Sequence, residues 1–398
     1  MAWTPKTKKQ LRQALMSVYR NYQDLKIFVA EDLEEQLPVI VEPTALKAAT
    51  FELIEWAESK GRLDGLYQAF CDENADNPAT QQLVKSVSPL IQGSAQEKSF
   101  SPSPTPVPIR PQFEFVTVKV DEQGKIIERQ RKTAEYWDLD LGEGVALTLV
   151  KVPAGQFWMG SPLDEEDRDF PRQVPGYEDY EEGPRHLVQI SEFWMGKYAV
   201  TQRQWRRVAD LPKVQQDLEP DPAYFKGAQR PVEQVSWDDA KEFCRRVSRV
   251  TGQSIALPSE SQWEYACRAG TTTPFAFGPT LSSEIANYNA DYTYGKGLKG
   301  KERGETLPVG QLPANGWGLF GMHGNVWEWC EDTWFPNYDG APTNGTARQS
   351  NKSTSQRLLR GGSWFGDPGL CRSACRTCDP RDLRVGNLGF RVVCSPQG

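Results

Sequence analysis

Three cysteines lie close together near the end of the chain, at Cys371, Cys375 and Cys378. Thiols at this spacing suit a structural zinc ion or a redox pair, because thiolates bind soft metals and exchange disulfides. A zinc site needs a further ligand, and Cys394 is the next cysteine along the chain. Because complete ligand sets are rare among such partial matches, unrelated thiols are the favoured interpretation.

Histidines and acidic residues offer little support for other metal chemistry. The chain has two histidines, His186 and His323, too few for a histidine-ligated iron site. We expect each to orient a turn through hydrogen bonds. One loop has a run of acidic side chains, which is more often a solvated segment than a cation site. These residues are Asp164, Glu165, Glu166, Asp167 and Asp169.

Length and composition restrict the class of protein. The 398 residues carry a net charge of -7 and include 33 glycines, 29 prolines and 13 tryptophans. This length favours two or three domains, and no apolar run approaches the ~18 residues of a membrane span. The first residues are charged where a signal peptide would be apolar, so we expect a soluble cytoplasmic protein with mostly reduced thiols. The acidic balance argues against a nucleic-acid binder, which needs a concentrated basic face.

Residues 1–85 have the periodicity of helices. Leu11, Leu15 and Val18 recur at helical spacing, as do Leu53 and Ile54, and predict an all-α bundle of about five short helices. The segments LRQALMSVYRNYQDLKIFVAEDLEEQLPVIV and FELIEWAESKGRLDGLYQAFCDENADNP resemble the bacterial effector-associated domain, a death-domain-like adaptor. The resemblance implies homotypic pairing with a partner that carries the same module, often a protease or an NTPase.

A change of composition separates this region from the rest. Residues 86–112 alternate proline with serine and threonine, a composition that favours extended chain and predicts a semi-rigid tether. From residue 113 to 398 short strands, aromatic residues and turns dominate. FEFVTVKVDEQGKIIERQR predicts a hairpin around Gly124, and VALTLVKVPAGQFWMGS predicts a second one. Thr201, Ser236 and either Ser259 or Ser261 are typical N-caps and predict the starts of three helices.

A series of motifs identifies residues 113–398 as similar to a known family. The motifs GQFWMGS, RPVEQVSWDDAKEFC, ALPSESQWEYACRAG, NGWGLFGMHGNVWEWCEDTW and LLRGGSW with GFRVV occur in this order. They resemble the formylglycine-generating enzyme, or sulfatase-modifying factor, family from Gly155 to Val393. The resemblance implies an α+β, C-type-lectin-like fold in which buried tryptophans and side-chain bonds to the backbone hold irregular chain.

The family's oxidase activity is not expected of this chain. The resemblance implies two copper-binding cysteines five residues apart after the GGS motif. The second position is Cys371, but the first is Gly366. One thiolate does not make the two-sulfur site that holds cuprous copper, so we expect neither catalysis nor copper. The alternative is a copper oxidase or related oxidative enzyme that uses Cys371 with Cys375 or Cys378.

Structural calcium is a further implication of the family. Its members place calcium through the Asn and Glu of the GNVWEW motif, here Asn325 and Glu328. Hard oxygen ligands on a rigid turn suit this ion. The alternative is that the two side chains only cap the turn.

The segment between LLRGGSW and GFRVV mixes two kinds of position. Arg372, Ser373, Ala374 and Arg376 are typical of a scaffold. The residues interleaved with them follow no periodic rule and span aromatic, acidic, apolar, thiol and glycine types, which a packing constraint would not choose. These residues are Phe365, Gly366, Asp367, Leu370, Cys375, Thr377, Cys378, Asp379, Val385, Gly386 and Asn387.

This interleaving resembles the variable proteins of diversity-generating retroelements, a branch of the same fold. In those proteins the adenines of Asn codons are rewritten, so that Lys, Gln, Glu, Met and Trp never arise. None of these five types occurs among the eleven positions. The resemblance implies a variable ligand-binding region at about 358–393 that binds a protein or other macromolecule, with Phe365 and Leu370 as anchors and Asp367 and Asp379 as polar contacts.

Two less specific alternatives remain open. The same segment could be an ordinary loop of a non-catalytic family member, never diversified. The whole chain could also be a structural adaptor without a ligand.

Overall fold

The computed structural model describes residues 5–18, 110–168, 182–350 and 356–395, with single residues between Leu53 and Leu83. The chain divides into two compact units, Met1–Val107 and Pro108–Gly398. The division falls inside the segment 86–112, for which a tether is predicted; residues 86–109 lie outside the described parts. No helix in the described ranges is long and apolar enough to cross a membrane.

The first unit begins with helix α1, Pro5–Val18. Its buried side chains, Leu11, Ala14 and Leu15, follow the three- and four-residue steps of one helix face. Leu53 and Ile54 are also helical and buried. The number and packing of the helices expected for residues 1–85 lie outside the described residues.

The second unit is a mixture of short strands, a few helices and long irregular segments. In the described residues its strands are β1 Gln112–Val120, β2 Ile126–Asp140, β3 Ala146–Val152, β4 Gly155–Met159, β5 His186–Ile190, β6 Phe193–Gly196, β7 Ile255–Ala256, β8 Trp327–Thr333, β9 Gln356–Arg360, β10 Arg376–Pro380, β11 Leu388–Gly389 and β12 Val393–Cys394. They form a six-stranded sheet in the order β1-β2-β3-β6-β12-β7, a four-stranded sheet in the order β10-β9-β8-β11, and the pair β4-β5.

Three α-helices in the described residues of this unit begin where the serine and threonine caps predict. They are α2 Gln202–Ala209, α3 Trp237–Thr251 and α4 Glu260–Arg268. Their N-caps are Thr201, Ser236 and Ser259, and each forms a reciprocal capping box with the residue three positions later. The capping prediction is confirmed, with Ser259 rather than Ser261 in the third helix.

One of the two predicted hairpins is confirmed and the other is wrong. Strands β1 and β2 pair antiparallel across a turn in which Gly124 has a φ of 81°. Strands β3 and β4 do not pair with each other, although they are adjacent in sequence. Because β3 already has β2 and β6 on its two edges, β4 pairs with β5 in a separate sheet.

Buried aromatic residues hold the irregular chain in place. The ring of Trp205 stacks on Phe243 at 5.8 Å between centroids, and both contact Phe390. The indole N–H of Trp237 donates to the carbonyl of Cys330 at 2.8 Å. Such bonds satisfy backbone groups that have no ladder partner, as the family resemblance implies for this fold.

Candidate functional site

Two glycines direct the chain as it leaves β9. Gly361 and Gly362 have φ values of 100° and 72°, a region that favours glycine. A Cβ atom on Gly362 would lie 2.4 Å from the Sγ atom of Cys371, so this position has no room for a side chain. The turn leads into Trp364 and Phe365, and the side chain of Phe365 is 65% exposed.

Buried ion pairs fix the middle of the segment. Arg372 donates to both carboxylate oxygens of Glu182, at 2.6 and 2.8 Å, and to Glu165 at 2.8 Å. The solvated state predicted for the acidic loop is therefore wrong for Glu165, whose side chain is buried by this pair. Asp169 lies outside the described residues. The positions predicted to be scaffold are all buried: Arg372, Ser373, Ala374 and Arg376.

Nine of the eleven positions predicted to contact a ligand are at least partly exposed, but Cys375 and Cys378 are buried. Cys378 lies on β10, where side chains alternate, so that Arg376 and Cys378 point inward. Cys375 belongs to the hydrophobic core. Neither thiol is accessible to a ligand in this structure. The partly or largely exposed positions are Phe365, Gly366, Asp367, Leu370, Thr377, Asp379, Val385, Gly386 and Asn387.

Contacts bring the two ends of the segment together. The indole N–H of Trp364 donates to the carbonyl of Gly386 at 3.0 Å. The amide of Asn387 donates to the Oγ atom of Ser363 at 3.5 Å. The ring of Phe365 lies 5.5 Å from that of Trp364. Phe365 and the stretch from Val385 to Asn387 therefore flank one surface.

Thr377 and Asp379 do not belong to the surface beside Phe365. They point outward from β10, which is one edge of the four-stranded sheet, whereas β11, directly after Asn387, is the other edge. Three strand spacings separate these edges, roughly 14 Å. The segment thus supplies two groups of exposed positions rather than one.

Aromatic residues from a loop distant in sequence extend the surface that Phe365 and the stretch from Val385 to Asn387 flank. The ring of Phe225 lies 5.2 Å from Trp364, and Tyr224 lies 5.0 Å from Phe225, each with edge-to-face geometry. We call Tyr224, Phe225, Trp364 and Phe365 the aromatic row. Sequence reasoning missed Tyr224 and Phe225; two adjacent aromatics in the polar, proline-containing loop PDPAYFKG were the available signal.

A buried carboxylate lies beneath this row. Glu233 is fully buried, and its Oε1 atom accepts the backbone N–H of Phe225 at 2.8 Å. Its Oε2 atom has no hydrogen-bond partner among the described residues. Burial raises the pKa of Glu233 to about 7, against the lowering effect of backbone N–H groups and of Lys226. Nothing in the sequence marks this residue, because two adjacent polar residues between Val232 and Val235 are typical of an ordinary exposed turn.

Glu233 is fixed against the variable segment. Gln234, with a φ of 57°, donates its backbone N–H to the carbonyl of Val385 at 3.1 Å. A Cβ atom on Gly386 would lie 3.5 Å from the Oε2 atom of Glu233 and 3.8 Å from the Cβ atom of Tyr224. The free carboxylate oxygen therefore lies directly beside Gly386, on the side where Tyr224 also approaches this glycine.

The two aspartates predicted to be polar contacts are partly desolvated. Burial raises the pKa of Asp379 to about 6. Burial, followed by repulsion from Asp167, raises the pKa of Asp367. Both carboxylates therefore lose part of their hydration in the folded protein, which disfavours their charged form.

The cysteines do not form the thiolate sites that their spacing allows. Cys371 is fully buried, and burial raises the pKa of its thiol well above the ordinary value. Burial likewise raises the pKa of Cys375 to about 12. In the described parts of the chain, no three His, Cys, Asp or Glu side chains are grouped so as to hold a metal ion. Protonated, buried thiols are poor nucleophiles and poor ligands.

The histidines orient backbone segments, as predicted. The Nε2 atom of His323 accepts the N–H of Ala276 at 3.0 Å, so its Nδ1–H donates to the carbonyl of Cys371 at 2.8 Å. Burial lowers the pKa of His323 to about 4, which keeps the ring neutral. The Nδ1 atom of His186 lies 3.1 Å from the carbonyl oxygen of Pro184.

Asn325 and Glu328 do not fit the predicted calcium site. The two carboxylate oxygens of Glu328 accept from Arg391 at 2.6 and 2.8 Å, and one also accepts from the indole of Trp263. The Oδ1 atom of Asn325 accepts the backbone N–H of Leu307 at 2.8 Å. A carboxylate already neutralised by a guanidinium has little charge left for a divalent cation.

Two family models match this chain. Residues 144–396 match the sulfatase-modifying factor enzyme 1-like domain, and residues 1–88 match effector-associated domain 1. The formylglycine-generating enzyme of Thermomonospora curvata is 28% identical over 306 residues, covering 63% of this chain and 95% of that relative.

Two solved structures are similar in fold. PvdO from Pseudomonas aeruginosa is 30% identical with a TM-score of 0.53, covering 65% of this chain and 98% of that chain. Treponema denticola variable protein 1 is 22% identical with a TM-score of 0.51, covering 66% of this chain and 99% of that chain. The second likeness shows the fold alone. The matches confirm the fold expected for the larger unit.

Proposed function

Because this chain belongs to the sulfatase-modifying factor enzyme 1-like family and carries an effector-associated domain 1, we propose that it is a non-catalytic recognition protein. Its larger unit binds a macromolecular ligand, a protein in the simplest case, through a surface diversified by a retroelement. Its N-terminal domain recruits a signalling effector by homotypic pairing. Its cytoplasmic location stays a prediction.

The observation that carries the proposal is the alternation of fixed and free positions between Gly361 and Asn387. Buried arginines and glycines determine the path of the backbone, whereas most of the interleaved side chains face solvent. A rigid frame of this kind allows surface side chains to change at little cost in stability. Phe365, which is largely exposed beside Trp364, is the best-placed anchor for a ligand.

The deciding test of diversification is a comparison of DNA. The DNA encoding Leu358 to Val393 should have a near-identical copy beside a reverse transcriptase gene, and the two should differ where the copy has adenine. Differences concentrated at the nine exposed positions would support the proposal. If no copy exists in the genome, the diversification hypothesis is wrong, and the segment is an ordinary loop.

Neighbouring positions on β10 should tolerate substitution very differently. We expect Thr377→Asn to change the free energy of unfolding by no more than about 0.5 kcal/mol, because its side chain points outward. Cys378→Asn should cost about 1–3 kcal/mol, because it buries an amide. Urea unfolding of both variants measures the difference, and equal losses would contradict a surface and scaffold division on this strand.

The oxidase alternative has weaker support. Gly366 stands at the first copper-ligand position, and the thiol of Cys371 is buried and protonated. We expect no copper-dependent oxygen uptake with a cysteine-containing sulfatase peptide. Uptake that disappears in the Cys371→Ser variant would overturn the non-catalytic assignment and establish the oxidative enzyme.

A further inference from the structure

The free carboxylate oxygen of Glu233 is the feature of the surface that its packing does not explain. A fully buried polar atom without a partner is costly, so native structures contain few of them. The Oε1 atom of the same carboxylate is paired with the N–H of Phe225, which fixes the orientation of Oε2 toward Gly386. Because this bond holds the carboxylate in one orientation, the absence of a hydrogen-bond partner for Oε2 follows from the structure around it.

Two nearby cations are engaged elsewhere: Lys226, whose charge partly offsets the rise that burial causes in the pKa of Glu233, and Arg384, two positions before Gly386. The ammonium of Lys226 bonds to the carboxylate of Asp221 at 2.9 Å. The guanidinium of Arg384 bonds to both oxygens of Asp239, at 2.7 and 2.8 Å. Beside Oε2 lies Gly386, which is itself in contact with the aromatic row through Trp364 and Tyr224.

A carboxylate oxygen next to aromatic faces is a pattern that recognises cations. The ring faces attract an ammonium or guanidinium group, and the carboxylate accepts its N–H bonds. A neutral donor gains only the weaker, uncharged hydrogen bond, and an anionic group gains neither contribution. The chemistry of this position thus favours one class of ligand group.

We propose that a lysine or arginine side chain of a protein ligand binds between the Oε2 atom of Glu233 and the aromatic row. This inference rests on the proposed recognition function and names the ligand chemistry at that surface. Tyr224 is 70% exposed, and its Cβ atom and the Oε2 atom both lie within 4 Å of the position that a Cβ atom on Gly386 would take.

The position of Glu233 in the sequence gives this contact a distinct role. Glu233 and Tyr224 lie outside the variable region at about 358–393, whereas Gly386 lies within it. A fixed carboxylate provides the same cation contact in every variant of the surface. The residue at position 386 controls access, because a longer side chain there covers Oε2.

The test uses the full-length protein and small probes. Saturation-transfer NMR titrations compare n-butylammonium and n-butylguanidinium with n-butanol, which has the same alkyl chain without charge. We expect the two cations to bind more tightly than the alcohol. Glu233→Gln, which keeps the shape of the side chain, should weaken cation binding about tenfold, whereas the exposed control Glu284→Gln should not change it.

A second variant tests access without removing the carboxylate. Gly386→Leu should reduce cation binding to the level of Glu233→Gln, while circular dichroism shows that the fold is kept. Equal binding of the three probes to the wild type, or unchanged cation binding in both variants, would overturn the inference. These outcomes leave the DNA comparison unaffected, so a failure of this contact and a failure of diversification are distinguishable.

Discussion

Replacing Arg391 with methionine should lower the free energy of unfolding by about 3–5 kcal/mol, because the substitution leaves a buried carboxylate without its charge partner. Arg391 is fully buried and bonds to both oxygens of Glu328. It also donates to the carbonyls of Gly196 and Phe320, at 3.0 and 2.9 Å. One side chain therefore joins the end of β6, an irregular loop and β8. Guanidinium chloride unfolding followed by tryptophan fluorescence measures the loss.

A double variant identifies the cause of that loss. In Arg391→Met with Glu328→Gln, the neutral amide can still accept the indole N–H of Trp263, and the isolated charge is gone. We expect the double variant to be more stable than Arg391→Met alone. A single variant that loses less than about 1 kcal/mol, or a double variant with no recovery, would show that the pair contributes little and would reopen Glu328 to other ligands.

The features that sequence reasoning predicted well are local. The helices that begin after Thr201, Ser236 and Ser259 depend on a hydroxyl and a residue three positions later, which the sequence displays directly. The turn at Gly124 is likewise set by adjacent residues. These elements form in the predicted places because no distant contact competes with them.

The errors arise where distant contacts decide. The second hairpin failed because β6 occupies the edge of β3 that β4 would need. Glu165 is paired with Arg372, about 200 residues further along the chain. The alternation of β10 could have shown that Cys378 points inward, had the strand been recognised.

The candidate site depends both on local sequence and on distant contacts. The variable segment is contiguous in sequence, so residue types alone selected nine partly or largely exposed positions, together with the buried Cys375 and Cys378. Tyr224, Phe225 and Glu233 join it through contacts across more than 130 residues, and local sequence offers only the adjacent aromatic pair as a signal. Only part of a binding surface on an irregular fold can therefore be identified from the sequence of the variable segment.

The second large effect is a pH-dependent gain in stability from Glu233→Gln. Burial raises the folded-state pKa of Glu233 from 4.5 to about 7. A group with a raised folded-state pKa favours folding below its unfolded pKa, and that contribution is lost as the pH rises through 7. The wild type should therefore lose up to about 3 kcal/mol from this residue between pH 5 and pH 8, since each pKa unit corresponds to about 1.4 kcal/mol. The Glu233→Gln variant does not lose this stability, because its amide does not titrate.

The measurement is the difference in unfolding free energy between variant and wild type at several pH values. Because all other titrating groups are common to both proteins, their contributions cancel in the difference. The free energy of unfolding of Glu233→Gln should rise steadily relative to that of the wild type from pH 5 to pH 8. The exposed variant Glu284→Gln, measured in the same way, is the control for loss of a surface carboxylate. A flat difference for Glu233→Gln would mean that the carboxylate is hydrated or paired. Butylammonium should reduce the gain at pH 8, because a bound cation stabilises the ionised carboxylate of the wild type alone.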